Sequence, residues 1–350
     1  ISFEEDVLAN SYIDLNPSYD ESQNAYPIRI SVKESTDMTS LAPIFELTPG
    51  ATISPASGSV QNFTTPVRYT VTSEDKAWHR VYAITAREQK ASNIPTTYHF
   101  EKVRIMQNVW QEFYEEQDSG NELTWASGNK GFKWAMSEAA TEDYPTTQID
   151  NGKTGKCVKL ETRLTGDLGN MVGMPIAAGN LFIGSFDMLN AITNPLSATR
   201  FGTPFYNKPL RLTGYYKYKA GEQFYENGEY TSRKDIFNIY AIFYDGVKYD
   251  SAGKGTDVTL DGNLPNQNYE HSSMVALALV SNPQETEGDE WKFFDIPFDY
   301  QRYGKKIDEA RLAKGEYKIG IIFASSKDGA TFEGAPGSTL LIDEVELIYE

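Results

Sequence analysis

Cysteine is nearly absent from the sequence. The one cysteine, Cys157, can form no disulfide within the chain and no thiolate metal cluster. It stands in a strand-like segment, 156–160, where a buried and unreactive thiol is expected. The sequence also lacks a run of about 18 apolar residues, so we predict no membrane-spanning segment. Because the chain begins at Ile1, we expect that a signal peptide or a lipid-anchor segment upstream of residue 1 was removed.

Basic residues are also few. The chain has 32 lysines and arginines against 49 aspartates and glutamates, which gives a formal net charge of −17. This charge repels the phosphates of nucleic acids and the head groups of anionic lipids, which argues against both as partners. It suits a neutral ligand or a bound cation. Acidity also keeps a secreted protein soluble, so charge alone does not select a function.

Aromatic residues are abundant, with 22 tyrosines and 18 phenylalanines. They favour β-strands, and exposed rings offer flat apolar faces on which sugars stack. The segments 26–32, 67–72 and 78–86 alternate in side-chain character and are separated by turn residues. Short strands at this spacing predict an immunoglobulin-like β-sandwich over residues 1–92. The polar stretch 88–95 predicts the domain boundary.

Residues 98–350 are again rich in strand patterns, with one short helical pattern at 307–313. This number of strands predicts a larger jelly-roll, galactose-binding-like β-sandwich, so the predicted fold class is all-β throughout. Long polar connections are the expected place for a functional site, and they lie at 187–209, 245–273 and 325–338. The clearest predicted strands lie at 157–162, 210–219, 237–244, 275–280, 291–298, 317–324 and 340–347.

Segments of both predicted domains resemble known bacterial families. The segment FELTPGATISPASG, 45–58, continued by 66–75, resembles the Ig-like module at the front of Bacteroidetes surface lipoproteins. This resemblance implies an extracytoplasmic protein, at the cell surface or in the periplasm, with a lipid anchor. The remainder resembles the putative carbohydrate metabolism domain family, which implies a role in glycan use and no defined reaction. The matching segments are WASGNKG (125–131), FGTPF (201–205), PLRLTGYYKY (209–218), SSKDGA (325–330) and LIDEV (341–345).

Sugar binding needs an aromatic platform and planar polar groups for pairs of hydroxyls. Trp125 and Trp134 flank a turn-rich segment, 128–131, that carries Asn129 and Lys130. Core packing is the ordinary alternative for any single tryptophan. Further candidates stand at strand ends or in connections: Arg200, Tyr244, Asp245, Ser325, Ser326 and Lys327.

Glycoside hydrolysis would need two carboxyl groups about 5–9 Å apart, on either side of the glycosidic bond. No Glu-x-Asp-x-x-Glu arrangement occurs in the sequence. Glu344 and Glu346 share a face of the last predicted strand, and 112–116 is a loop-like acidic run, but neither identifies a catalytic pair. The catalytic residues of a hydrolase therefore stay unknown.

A structural calcium ion is a further expectation. Jelly-roll sugar-binding modules often hold one ion through carboxylate and backbone oxygens. Asp343, between apolar neighbours in the last predicted strand, is the first ligand candidate, and Glu101 is the second. A role unrelated to metal is the alternative for both.

Three hypotheses follow. The first is an extracytoplasmic protein of a carbohydrate-utilisation system that binds an oligosaccharide or polysaccharide in a jelly-roll pocket without cleaving it. The second is a glycoside hydrolase with an Asp/Glu pair in the same pocket, and the third is an adhesive or structural protein. For the first two we expect a pocket lined by 125–134, 200–205 and 325–328.

Overall fold

The computed structural model describes residues 1–10, 12–117 and 120–350. The chain forms two compact units, Ile1–Ala91 together with Glu350, and Ser92–Tyr349. Strands account for 41% of the residues and helices for 10%, so the predicted all-β fold with a larger C-terminal domain is confirmed. In the described ranges, no helix has the length and hydrophobicity needed to cross a membrane.

One four-stranded sheet organises the N-terminal domain, in the order β1-β4-β3-β2. Its strands are β1 (Tyr26–Val32), β2 (Thr52–Ser54), β3 (Val67–Thr72) and β4 (His79–Glu88). Strand β1 pairs parallel to β4, and the other pairs are antiparallel. The predicted alternation in β1 is confirmed, because Ile28, Ile30 and Val32 are all buried in one cluster with Tyr69 and Ile84.

In the described part of the C-terminal domain, many short strands and four α-helices occur. The first half contains β5 (Thr97–Tyr98), β6 (Val103–Met106), β7 (Trp110–Glu116), β8 (Glu122–Thr124), α1 (Asn129–Ala135), β9 (Thr146–Asp150), β10 (Lys156–Glu161), β11 (Arg163–Leu164), α2 (Gly166–Met171), β12 (Ile176–Ala177), β13 (Asn180–Phe182), β14 (Gly184–Phe186), α3 (Met188–Thr193), β15 (Thr199–Phe201) and β16 (Thr203–Pro204). The second half contains β17 (Pro209–Lys219), β18 (Phe224–Glu226), β19 (Glu229–Thr231), β20 (Asn238–Asp245), β21 (Val247–Tyr249), β22 (Gly255–Asp257), β23 (Leu260–Asp261), β24 (Met274–Leu279), β25 (Lys292–Pro297), α4 (Glu309–Leu312), β26 (Tyr317–Ala324) and β27 (Thr339–Tyr349).

Two antiparallel sheets carry the main core of this domain. The six-stranded sheet has the order β25-β17-β27-β10-β9, with β5 paired to β27. The five-stranded sheet has the order β13-β26-β20-β24, with β16 paired to β26. Residues of both sheets, among them Leu212, Tyr216, Ile239, Phe243 and Ile342, belong to one buried cluster. The burial of alternate side chains between two packed sheets accounts for the period-two pattern of the strands.

The outer face of the five-stranded sheet is covered as well. Strand β20 is buried at seven successive positions, and Tyr240, Ile242 and Tyr244 belong to a second cluster with Phe182 and Ile322. The connections predicted as long polar loops fold over this face, and they include α3 and the short strands β15 and β23. A strand that is apolar on both faces needs such a cover, because either bare face would expose a wide apolar surface.

Three local predictions require correction. The segment 128–131, predicted as a loop, is the N-cap and the first turn of the helix α1. The acidic run 112–116 lies in strand β7, where Phe113 and Glu115 are buried. The predicted helix 307–313 is shorter and spans Glu309–Leu312.

Candidate functional site

A pocket of about 170 Å³ lies between the outer face of the five-stranded sheet and the helices α1, α2 and α3. Phe182, Tyr240 and Ile322 form its floor on the sheet side. Trp134 of α1 and Met188 of α3 line the helical side. The pocket therefore lies beneath the helices that cover the apolar outer face of this sheet.

The helices that wall the pocket are too short to be stable on their own. Helix α1 is anchored by Phe132, which is buried and meets Tyr144 edge-to-face with ring centroids 5.4 Å apart. Helix α3 begins after Asp187, whose side chain accepts hydrogen bonds from the backbone N–H groups of Leu189 and Asn190. This N-cap satisfies donors that the helix itself leaves unpaired.

A glycine sets the wall formed by β14 and β15. Gly184 has φ of +150°, and a Cβ atom there would lie 2.0 Å from the carbonyl oxygen of Arg200. Only glycine permits this close pairing of the two strands. The pairing places Phe186 and Phe201 on the pocket wall.

Aromatic rings dominate the lining. In the part of the chain that the structure describes, seven lining residues are aromatic: Phe132, Trp134, Phe182, Phe186, Phe201, Tyr240 and Phe332. Phe182 meets Phe201 edge-to-face at 5.3 Å, and Phe201 meets Tyr240 at 6.3 Å. Such contacts hold the rings in fixed orientations and leave an apolar interior.

Most polar side chains of the lining are already hydrogen-bonded within the protein. The Asn180 side chain accepts a hydrogen bond from the backbone N–H of Gly128 at 2.8 Å, and the Asn238 amide bonds the Tyr269 hydroxyl at 3.0 Å. The Ser326 hydroxyl donates to Asp235 at 2.5 Å. The interior therefore offers few groups to a polar ligand.

Some polar groups of the lining stay free among the described residues. The Thr199 hydroxyl is buried without a hydrogen-bond partner. Lys327 is exposed, and its ammonium group has no hydrogen-bond or ion-pair partner among the described residues. Both groups are available as polar contacts for a ligand, Thr199 from a buried position and Lys327 from an exposed one.

The helices around the pocket expose apolar side chains. Trp134 is 38% exposed and Val172 is 40% exposed, and both line the pocket. The helices α2 and α3 expose further apolar side chains, namely Leu168, Met171 and Leu189. Exposed apolar surface around a concave site marks a binding region more often than a solvated one.

Carboxyl groups are missing from the described lining, which contains no Asp, Glu or His. Asp235 lies behind the wall, where it accepts hydrogen bonds from Ser326, from Ser338 at 2.7 Å and from the backbone N–H of Ala335 at 2.8 Å. Burial raises the pKa of Asp235. Burial also raises the pKa of Glu115, which belongs to β7 and lines no part of this pocket.

Comparison with known proteins identifies both domains. Residues 99–348 match the family model described as a putative carbohydrate metabolism domain. The chain belongs to this carbohydrate metabolism family. Residues 14–86 match the model described as "SGBP, N-terminal", the N-terminal domain of surface glycan-binding proteins. Among curated proteins, none is significantly similar to the chain.

Two solved structures of Bacteroides proteins resemble this member of the carbohydrate metabolism family. One is described as a putative glycoside hydrolase from Bacteroides thetaiotaomicron VPI-5482; it is 46% identical, with a TM-score of 0.66, over 93% of this chain and 91% of that chain. The other is described as a putative glycoside hydrolase from Bacteroides vulgatus ATCC 8482. It is 50% identical, with a TM-score of 0.68, over 74% of this chain and 100% of that chain.

Three candidate residues of the sequence line the pocket of this carbohydrate metabolism family protein: Trp134, Ser326 and Lys327. The three segments that were expected to share a pocket do so, because Trp134, Phe201 and Ser326 all line it. Whether these side chains bind a sugar stays a prediction.

The assignment of Trp125 to a sugar platform is wrong. Trp125 is 1% exposed and belongs to the core between the two sheets. Its ring packs against Tyr98 at 5.0 Å and against Phe323 at 5.9 Å. Neither face of the indole is open to a ligand.

Asn129 and Tyr244 are also structural. Asn129 is fully buried, and its side chain bonds the backbone carbonyl of Thr146 at 2.7 Å and the backbone N–H of Thr146 at 3.1 Å. It therefore joins α1 to β9. The buried Tyr244 hydroxyl donates to the carbonyl of Phe201 at 2.6 Å, which ties β20 to β15.

Asp245 and Ser325 have internal partners as well. Asp245 forms a two-pronged ion pair with Arg311, at 2.6 and 2.7 Å. Ser325 is fully buried and bonds the Thr162 hydroxyl at 2.8 Å. The sequence predicts ligand contacts for their polar atoms, whereas the structure uses these atoms to join elements.

Lys130 and Arg200 are exposed and do not line the pocket. Arg200 lies between Thr199 and Phe201 on β15, and those two neighbours do line it. Side chains alternate along a strand, so Arg200 points to the opposite side.

Sequence reasoning missed most of the aromatic lining, including Phe132, Phe186 and Phe332. One signal was available. The continuous apolar run of β20 indicates a strand buried on both faces, and therefore a cover on the outer face of its sheet.

Asp343 and Glu101 fit a calcium site poorly. The oxygens of the buried Asp343 carboxylate accept hydrogen bonds from the backbone N–H groups of Thr154 at 3.0 Å and Glu344 at 2.8 Å. Glu101 accepts one from the backbone N–H of Lys156 at 2.8 Å. The described residues contain no cluster of three His, Cys, Asp or Glu that could hold a metal. The two carboxylates already accept hydrogen bonds that hold the 151–156 connection. The calcium ion stays a prediction, which this arrangement of oxygen ligands does not favour.

Proposed function

We propose that the C-terminal domain binds a glycan at the pocket between the five-stranded sheet and helices α1 to α3. The observation that carries this proposal is the partly exposed Trp134, which lines the pocket together with Lys327. An indole face stacks on the apolar face of a pyranose ring, and an ammonium group donates hydrogen bonds to hydroxyls or to a carboxylate. The family match to carbohydrate metabolism supports the same ligand class.

Binding without cleavage is favoured because hydrolysis requires two carboxyl groups on either side of the scissile bond. The described lining supplies none. The nearest candidate in the hydrogen-bond network, Asp235, is 2% exposed and held by Ser326, Ser338 and the backbone of Ala335. A carboxyl group so enclosed cannot reach a glycosidic oxygen.

The direct test is calorimetric titration of the purified protein with a panel of oligosaccharides. Trp134→Ala is expected to weaken binding by about tenfold or more, since stacking on one ring contributes of the order of 1 kcal/mol or more. Trp78→Ala is the matched control, because Trp78 is 54% exposed and belongs to the N-terminal domain. Equal affinity of both variants and the wild type would refute the site, and an absence of any glycan ligand would refute the function.

A glycoside hydrolase is the second candidate, favoured by the description of both similar Bacteroides structures as putative glycoside hydrolases. It would need a carboxyl pair outside the described pocket lining. Release of reducing ends from the best-binding oligosaccharide decides between the two. Turnover that persists in Trp134→Ala would place catalysis elsewhere on the protein.

We place the protein outside the cytoplasm, at the cell surface or in the periplasm, with a lipid anchor upstream and the N-terminal domain as the spacer. The match of residues 14–86 to the N-terminal domain of surface glycan-binding proteins supports this location. Labelling of the full-length protein with a fatty-acid analogue tests the anchor. Protease digestion of intact cells separates the cell surface from the periplasm.

A further inference from the structure

We infer that the interior of the pocket binds an aromatic ring that is attached to the glycan, as an aryl ether or an aromatic ester. This inference rests on the proposed function and specifies its ligand. The sugar would occupy the surface beside Trp134, and the aromatic substituent would enter between the sheet and the helices.

The size of the pocket limits how large a group can enter it. Its volume is about 170 Å³. An apolar protein cavity of about 150 Å³ binds benzene, so this pocket admits a single ring with a small substituent. A whole oligosaccharide is far too large to enter it.

The chemistry of the interior limits how polar that group can be. Asn180, Asn238 and Ser326 direct their polar atoms to partners within the protein. A pyranose that entered would bury several hydroxyls with almost no partners, which is unfavourable. An apolar group loses nothing on entering and gains contact with the lining.

The aromatic lining selects a ring over an aliphatic chain. Phe182, Phe201 and Tyr240 already form a series of edge-to-face contacts along the pocket. A flat guest can continue this series with its own faces and edges. The unpaired hydroxyl of Thr199 is available for the ether or carbonyl oxygen that links the ring to the sugar.

Matched pairs of glycosides test the inference. The 4-nitrophenyl and methyl glycosides of the same sugars, glucose, galactose, xylose and mannose, are titrated into the full chain. We expect at least one 4-nitrophenyl glycoside to bind about tenfold tighter than its methyl partner, since a buried ring removes apolar area from water. Equal affinities within every pair would overturn the inference.

Pocket-filling variants locate the effect. Ala191→Phe on α3 and Ala330→Phe on a different wall place a ring inside the pocket, since both alanines line it. Each is expected to abolish the preference for the 4-nitrophenyl glycoside and to leave methyl-glycoside binding in place. Ala252→Phe, at an exposed turn outside the lining, is the matched control. A preference that survives in both folded pocket variants would contradict the inference.

The outcomes separate the two claims. If methyl glycosides and unsubstituted oligosaccharides bind with equal strength to their aryl forms, glycan binding stands and the aromatic pocket fails. If 4-nitrophenol alone binds as tightly as the glycosides and the filling variants block it, the pocket stands and the proposed glycan function fails.

Discussion

The two sheets of the C-terminal domain share one core and differ in their outer faces. On the six-stranded sheet, the outer residues Tyr215 and Phe293 contact each other at 5.1 Å, and Phe293 is 53% exposed. On the five-stranded sheet, the outer residues Tyr240 and Ile242 are at most 2% exposed, beneath helices and short strands. The pocket of about 170 Å³ lies on the covered face. The proposed ligand site lies where the cover of this apolar face packs incompletely and leaves the pocket.

The largest expected contrast is in the loss of stability when each tryptophan of the 125–134 segment is replaced by alanine. Trp125→Ala removes a ring from the core between the sheets and is expected to lower the free energy of unfolding by about 3–5 kcal/mol. Trp134→Ala is expected to cost less than about 1 kcal/mol, since the side chain is partly exposed. Urea denaturation of both variants checks this. Similar losses would mean that Trp134 is a core residue and not part of a binding surface.

Substitutions on the outer faces of the two sheets should also differ in their effect on stability. Ile242→Ala on the covered face is expected to cost about 2–5 kcal/mol, because it leaves a cavity under the cover. Phe293→Ala on the open face is expected to change stability by about 0.5 kcal/mol or slightly more. Denaturant midpoints of the two variants give the comparison. A small effect of Ile242→Ala would show that the cover is loosely packed in solution.

These contrasts also separate what the sequence could predict from what it could not. Period-two alternation predicted the strands and the two-domain order, because a strand in a sandwich must bury alternate side chains. Turn-rich composition pointed to three segments that contribute residues to one pocket, and whether this pocket is the functional site stays a prediction. The composition did not reveal α1 and α3, since six- or seven-residue helices depend on tertiary contacts such as that of Phe132 with Tyr144. Nor did it distinguish Trp125 from Trp134, because only packing decides which ring is enclosed.

Asp343 lies on the outer face of the six-stranded sheet and is fully buried. It pairs with Tyr215 across the sheet, and burial raises its pKa to about 6. The folded state therefore binds this proton more tightly than the unfolded state, so the stabilising contribution is complete below about pH 4 and is lost as the pH rises through about 6. Asp343→Asn should remove that loss and gain about 1–3 kcal/mol relative to wild type between about pH 4 and pH 7.

The control for this prediction is Asp289→Asn, whose side chain is fully exposed in an ion pair with Lys217. Unfolding free energies are measured by urea titration across the pH range. Parallel pH curves for Asp343→Asn and wild type would contradict the assignment.

Metal dependence should be the smallest effect. The carboxylates of Asp343 and Glu101 bond backbone N–H groups, so calcium and EDTA are expected to leave the melting temperature unchanged. Differential scanning fluorimetry with each additive checks this. A rise in Tm with calcium that disappears in Glu101→Gln would establish the ion site on the open face.

The most direct test of the glycan-binding account is a crystal structure of the protein with the tightest-binding glycoside from the panel. The account predicts sugar density against the indole of Trp134, with any aromatic substituent between the helices and the floor that Phe182 and Tyr240 form. Sugar density on Tyr215 and Phe293 of the open face, with the pocket empty, would contradict it.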